Sequence, residues 1–190
     1  MSEGSTTFCQ IRTRLKEPDV PAIHVCPKSK VSTLSELIRP SHLITLLDPA
    51  DEMPTPDGVP GYRHLKLGMH DTVRPTPEQT PPDEIHVRDL LRFAQDWNRS
   101  QPMLVHCWAG ISRSTASAFA IACMLTPAGH ELQIARLLRE RAPHAHPNLR
   151  IVALADDLLG RDGRMVDAID AIGPGKVVFE GVPFVLPVQV

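Results

Sequence analysis

Long apolar runs, paired cysteines and an excess of charge are all missing from this chain of 190 residues. No stretch approaches the 18 or more apolar residues of a membrane-spanning helix. Residues 1–16 lack the charged-then-apolar order of a secretory signal, so a cytoplasmic protein with no membrane partner is expected. The four cysteines, Cys9, Cys26, Cys107 and Cys123, show no CxxC spacing, which argues against a zinc ribbon or a disulfide framework. A formal charge of −2 supplies no basic field for a polyanion, and nucleic acid is not expected as a partner. Internal repeats are absent too, which excludes solenoids and propellers.

What the chain does contain is ordinary globular material, with 42% hydrophobic and 22% charged residues, in an amount that fits one domain. Proline is abundant, at 19 residues, of which 12 fall in 40–82 and 174–187, so helices belong elsewhere. Residues 22–26 (AIHVC) and 42–47 (HLITLL) are short branched-apolar runs that read as strands. Between them Ser32, Thr33 and Glu36 spell a capping box for a short helix that must stop before Pro40. A loop over 48–61 leads to a third strand at 62–67, and 68–82 is loop again.

From Pro82 the pattern becomes helical: acids Asp83 and Glu84 open it, and Ile85, Val87, Leu90, Leu91, Ala94 and Trp97 form one stripe ending near Arg99. Residues 102–106 (PMLVH) form a nearly continuous apolar run, expected of a strand buried on both faces of a parallel sheet. Residues 114–125 are small and apolar almost all round and read as a helix lying close on that sheet. Helices over 130–142, 148–159 (capped by Asn148) and 162–172 follow. Residues 176–185 read as an edge strand or a tail on another surface. Strands alternating with helices give an α/β fold with a mainly parallel central sheet flanked by helices. Ligands of such sheets sit beyond the strand C-termini, which directs attention to residues 106–114.

There the sequence is His106-Cys107-Trp108-Ala109-Gly110-Ile111-Ser112-Arg113-Ser114. Of the four cysteines only Cys107 has an arginine six positions on; Cys9 leads to Leu15, Cys26 to Ser32 and Cys123 to Gly129. Five residues between a strand end and a helix start can curl into a ring of inward N–H groups that holds a tetrahedral dianion, with the helix N-terminus adding partial positive charge. Gly110 supplies the freedom to turn. The same field should stabilise a thiolate at the mouth of the cradle on Cys107. Arg113 can grip two oxygens of the anion as a fork. Ser114 can donate to the Cys107 sulfur and ease its departure, while His106 is expected to order the loop backbone.

HCWAGISRS resembles the His-Cys-x5-Arg-Ser/Thr signature loop of the protein tyrosine phosphatase superfamily. The resemblance runs from about residue 20 to about 160, and the chain is more similar to the compact dual-specificity branch than to longer tyrosine-specific domains. It implies a single phosphatase domain over 1–190, with 174–190 as an extended segment, that dephosphorylates phosphoprotein through a cysteinyl-phosphate intermediate without metal or other cofactor. Trp108, Ala109, Gly110, Ile111, Ser112 and Arg113 would bind phosphate. The resemblance also implies an acidic residue on a mobile loop after the strand before the long helix. Asp71 holds that place; Asp48, Asp57 and Asp83 are its rivals, and His70 beside it is read as facing solvent.

A phosphotyrosine protein or peptide is the favoured substrate; inositol lipid is disfavoured, because Trp-Ala-Gly-Ile-Ser lacks the basic residues with which inositol-lipid phosphatases meet extra phosphates. Phosphoserine, phosphothreonine and RNA 5′-phosphate stay open, as do a phosphate-binding module without catalysis and a rhodanese-like sulfurtransferase. Cys9, Cys26 and Cys123 read as inert thiols, and nothing in the spacing selects Cys26 as a redox partner of Cys107. His144-Ala-His146 reads as a solvated loop.

Overall fold

The apolar runs form strands because branched side chains pack well on a pleated surface that is covered on both sides. A computed structural model describes residues 22–74 and 76–188. Its strands are β1 (Ala22–Pro27), β2 (His42–Leu47), β3 (His64–Gly68), β4 (Met103–Cys107) and β5 (Phe184–Pro187), in the order β3-β2-β4-β1-β5. The first four are parallel and β5 runs antiparallel beside β1. All of β4 is buried between its neighbours, with Cys107 level with Pro27 of β1 and Leu46 of β2.

Six helices cover the sheet: α1 (Val31–Ile38), α2 (Glu84–Gln95), α3 (Arg113–Met124), α4 (Glu131–Arg141), α5 (Leu149–Leu159) and α6 (Arg164–Ile172). Every residue of α3 from Arg113 to Cys123 is buried, and its alanines and serines allow the close approach expected from sequence. Phe119 fills the space that they leave and is wholly buried, which stabilises the fold by about 1.5–3 kcal/mol. Met103, Val105 and Cys107 face this larger core, whereas Leu104 and Cys26 belong to the smaller cluster with Val31 and Leu34 of α1. The period-two alternation of a strand thus puts Cys26 and Cys107 on opposite faces of the sheet. Among the described residues no helix is long and apolar enough to cross a membrane.

Several local expectations fail for identifiable reasons. The Ser32, Thr33 and Glu36 capping box does not form: a 3-10 turn (Lys28–Lys30) already curls the chain, and α1 starts at Val31, whose side chain is pulled into the core. The reciprocal cap occurs on α2 instead, where Asp83 accepts from the His86 N–H and His86 Nδ1 accepts from the Asp83 N–H. Ile85 is exposed, because the buried stripe Val87, Leu90, Leu91 and Ala94 leaves position 85 on another side of the helix. The third strand begins at His64 after a 3-10 turn over Gly61–Arg63. At the C-terminus only Phe184–Pro187 pairs; Pro183 precedes the strand, and residues 173–183 cross irregularly toward the end of β1.

Candidate active site

Cys107 closes β4 and Arg113 opens α3, so residues 108–112 make the whole turn from strand to helix. Gly110 sits at φ 68, and a Cβ there would lie 2.7 Å from the Pro27 nitrogen. Both the left-handed backbone and the close approach to β1 therefore require glycine.

The ring's polarity follows from its outer hydrogen bonds. The carbonyl of Trp108 accepts from the Lys28 N–H (3.1 Å), that of Ala109 from Gly181 (2.8 Å), that of Ile111 from His146 (2.9 Å) and that of Ser112 from Asn148 (3.4 Å). In a trans peptide the C=O and the following N–H point oppositely. Four outward carbonyls thus turn the N–H groups of Ala109, Gly110, Ser112 and Arg113 toward the concave side. Ser112 is the N-cap of α3 but makes no capping hydrogen bond with its side chain, which leaves the first N–H groups of the helix available to an anion. Thr115 Oγ1 donates to the carbonyls of Ile111 (2.6 Å) and Ser112 (2.9 Å) and staples the loop to the helix.

The Cys107 sulfur lies 3.1 Å from Ser114 Oγ, and the residue is only 2% exposed. The sulfur is therefore almost closed off from solvent, deeper than the mouth of the cradle where the sequence suggests it. Arg113 is buried as well. Its Nη1 donates to Asp48 Oδ1 (2.7 Å) and to the Met69 carbonyl (2.6 Å), while its buried Nε makes no hydrogen bond. A buried guanidinium N–H without a partner is the kind of donor that an oxyanion satisfies.

Asp71 stands over the ring. Its Oδ1 accepts from Ser112 Oγ and from Asn148 Nδ2, both at 2.7 Å, and its Oδ2 lies 4.0 Å from Arg113 Nε. Of its rivals, Asp83 caps α2 and Asp57 lines a surface hollow with Arg39 and Pro40, whereas Asp48 also reaches Arg113. His70 is half-buried and is not joined to Asp71. Its Nδ1 accepts from the Thr80 N–H and its own N–H donates to the Thr80 carbonyl, cinching the loop that carries the aspartate.

The loop, the buried arginine and the overhanging aspartate are one spatial unit, and its sequence and fold both have counterparts. The sequence model of the Protein-tyrosine phosphatase family matches residues 74–144, which include the entire cradle. Over those residues the sequence is similar to that family. No curated protein matches it in sequence. Among solved structures it is similar to DUSP15, at 20% identity over 83% of this chain and 96% of that one, with a TM-score of 0.54. The PTP-2 phosphatase of Cydia pomonella shares 18% identity over 71% of this chain and 84% of its own, with a TM-score of 0.54. A human tyrosine phosphatase-like serine/threonine/tyrosine-interacting protein shares 21% over 75% and 94%, also at 0.54. At such identities the likeness establishes the fold, and the compact dual-specificity phosphatases are the neighbours in that fold.

Around this phosphatase loop stand residues that sequence reasoning missed. The Trp108 indole donates to Asp51 Oδ2 (2.7 Å), and Lys28 Nζ lies 4.4 Å from the indole centroid, so the ring of a tryptophan read only for its amide is held on the surface beside the loop. Asn148, read as a cap, also holds Asp71. The C-terminal segment joins the site: besides the Gly181 bond to Ala109, Glu180 Oε1 accepts from Ser29 Oγ (2.7 Å). His144 is buried rather than solvated, since Gly181 packs so tightly on its ring that a Cβ would meet Nε2 at 2.6 Å. Only the backbone hydrogen-bonding needs of the loop would have hinted at these partners.

His106 is wholly buried, and its ring is tied into the sheet. Its Nε2 pairs with Thr45 Oγ1 (2.6 Å), which also meets His64 Nε2 (2.8 Å), and Thr55 Oγ1 completes the chain at His64 Nδ1 (2.8 Å). Burial lowers the His106 imidazole to about 3 and that of His64 to about 4, so both are neutral at pH 7. Burial pushes the Cys26 and Cys123 thiols well above the ordinary range, in keeping with inert roles. Cys9 lies outside the described residues.

Proposed function

We propose that this protein is a cysteine-dependent phosphomonoesterase acting on phosphoprotein, with phosphotyrosine favoured, through a cysteinyl-phosphate intermediate. The observation that carries the reading is the convergence of a buried sulfur, four inward N–H groups, an unpartnered Arg113 Nε and a carboxyl group on one concavity. The Cys107 sulfur attacks phosphorus in line. The P–O bond to the substrate breaks as the S–P bond forms, and Asp71 gives its proton to the departing oxygen. Asp71, now a carboxylate, takes a proton from water; the hydroxyl attacks phosphorus, and the sulfur leaves toward the Ser114 hydroxyl. The loop amides and Arg113 neutralise the equatorial oxygens in both steps, where charge redistributes without leaving the cradle.

The depth of Cys107 supports an aryl ester, because a ring carries its phosphate further from the peptide backbone than a serine side chain does. The Asp71 carboxyl above the loop supports phosphatase chemistry over sulfur transfer. The test is turnover of p-nitrophenyl phosphate and of a phosphopeptide panel, inhibited by vanadate. Cys107→Ser is expected to abolish turnover and keep phosphate binding. Full activity of Cys107→Ser, or thiosulfate turnover without ester hydrolysis, would refute the proposal.

A further inference from the structure

Asn148 has two ends, and each is occupied. Its Oδ1 accepts from the N–H groups of Arg150 (3.1 Å) and Ile151 (3.2 Å), the ordinary work of a helix cap. Its Nδ2 donates to Asp71 Oδ1 at 2.7 Å, across 77 residues of sequence. The side chain is buried, and its backbone N–H reaches the Ser112 carbonyl. Since two helix N–H groups claim the amide oxygen, the ring-side position can only be the NH2 group; a flipped amide would set NH2 against the Arg150 and Ile151 N–H groups and oxygen against the Asp71 carboxyl. The helix cap therefore decides which way the amide donor points.

That donor, together with Ser112 Oγ, occupies Asp71 Oδ1 and leaves Oδ2 as the oxygen on the Arg113 side, 4.0 Å from Nε. We infer that Asn148 is a positioning residue for the general acid: it selects Oδ2 as the oxygen that carries the transferred proton and ties the Asp71 loop to the phosphate cradle through the start of α5. The inference rests on the phosphatase reading above. No bond to phosphate is assigned to Asn148; it acts through Asp71 alone.

The distinguishing substitutions keep the cap while removing the donor. Asn148→Ser retains an acceptor for the α5 N–H groups but lacks the amide donor that reaches Asp71. Asn148→Asp also caps, and it turns a carboxylate oxygen toward Asp71. The readout is kcat/KM for two esters, phenyl phosphate, whose basic leaving group depends on the acid, and p-nitrophenyl phosphate, whose more acidic one depends on it less.

For Asn148→Ser, kcat/KM on phenyl phosphate should drop roughly tenfold, a part of the 10²–10⁴-fold that a general acid contributes, and on p-nitrophenyl phosphate by clearly less. Asn148→Asp should lose more on the same ester. Vanadate inhibition should stay within about twofold of the unsubstituted protein, because the anion is held by loop amides and Arg113. Asn148→Ala, which loses cap and donor, should show the same ester dependence with a lower melting temperature. Equal losses on both esters, weakened vanadate inhibition in the two capped variants, or unchanged phenyl phosphate turnover would overturn the inference. An unsubstituted protein inert toward both esters would instead refute the phosphatase reading itself, and this inference with it.

Discussion

The loops that follow β2 and β3 each bring an aspartate to Arg113, and they bring it for different purposes. Asp48 spends Oδ1 on Nη1 in a direct ion pair at 2.7 Å, behind the guanidinium. Asp71 comes no nearer to Arg113 than 4.0 Å and is held by two neutral donors, Ser112 Oγ and Asn148 Nδ2. A carboxylate locked onto a cation is a counter-charge that fixes the fork in place. A carboxyl group steered by neutral hydrogen bonds beside the cradle keeps an oxygen for proton transfer. Proximity to the arginine alone would not separate the two; the partners of each oxygen do.

The sharpest way to break this comparison is to neutralise each aspartate in turn. Asp71→Asn should lower kcat/KM on phenyl phosphate by roughly 10²–10⁴-fold, with a smaller loss on p-nitrophenyl phosphate, because the missing proton matters most for the more basic leaving group. Asp48→Asn should lower activity on both esters by one common factor, roughly tenfold, and weaken vanadate inhibition in parallel, since it loosens the grip on phosphate whatever alcohol departs. Steady-state kinetics on the pair of esters measures both, and a reversal of the two signatures would make Asp48 the acid.

A third and smaller effect concerns the sheet beneath the loop after β2. His106, His64 and His24 are lowered by burial to about 3, 4 and 4 from an ordinary 6.5. The unfolded chain therefore binds more protons than the folded one below pH 6.5, and stability falls as pH drops from about 6.5 toward 4. Melting temperatures between pH 6.5 and 5, above the main carboxylate range, should decline steadily. A flat profile there would contradict neutral burial of the Thr45, His106 and His64 chain.

Legibility from sequence followed chain distance. The strand, turn and helix around Cys107 are contiguous, so spacing alone suggested the cradle, and the central strand and buried α3 were visible in composition. Asp71 was reached only through a family resemblance, because an aspartate in a proline-rich loop looks like any turn former. The bonds of Trp108 to Asp51 and of Arg113 to Asp48 span 57 and 65 residues, and no local pattern marks them. The Ser32, Thr33 and Glu36 capping box was a valid local signal overridden by Val31 entering the core, and His144 was taken for a solvated residue because its packing partner Gly181 lies in another segment.

By itself, then, the amino-acid order determined the elements and the cradle: strand propensity, the glycine that the turn requires, and a cysteine and an arginine six positions apart are all encoded within a few residues. Only the tertiary structure decided which aspartate pairs directly with Arg113 and which is held by neutral donors beside the cradle, how deep the sulfur lies, and that a cap on α5 and a C-terminal strap brace the loop. These depend on hydrogen bonds a few ångströms long between segments far apart in the chain, and such bonds are fixed by packing of the whole core.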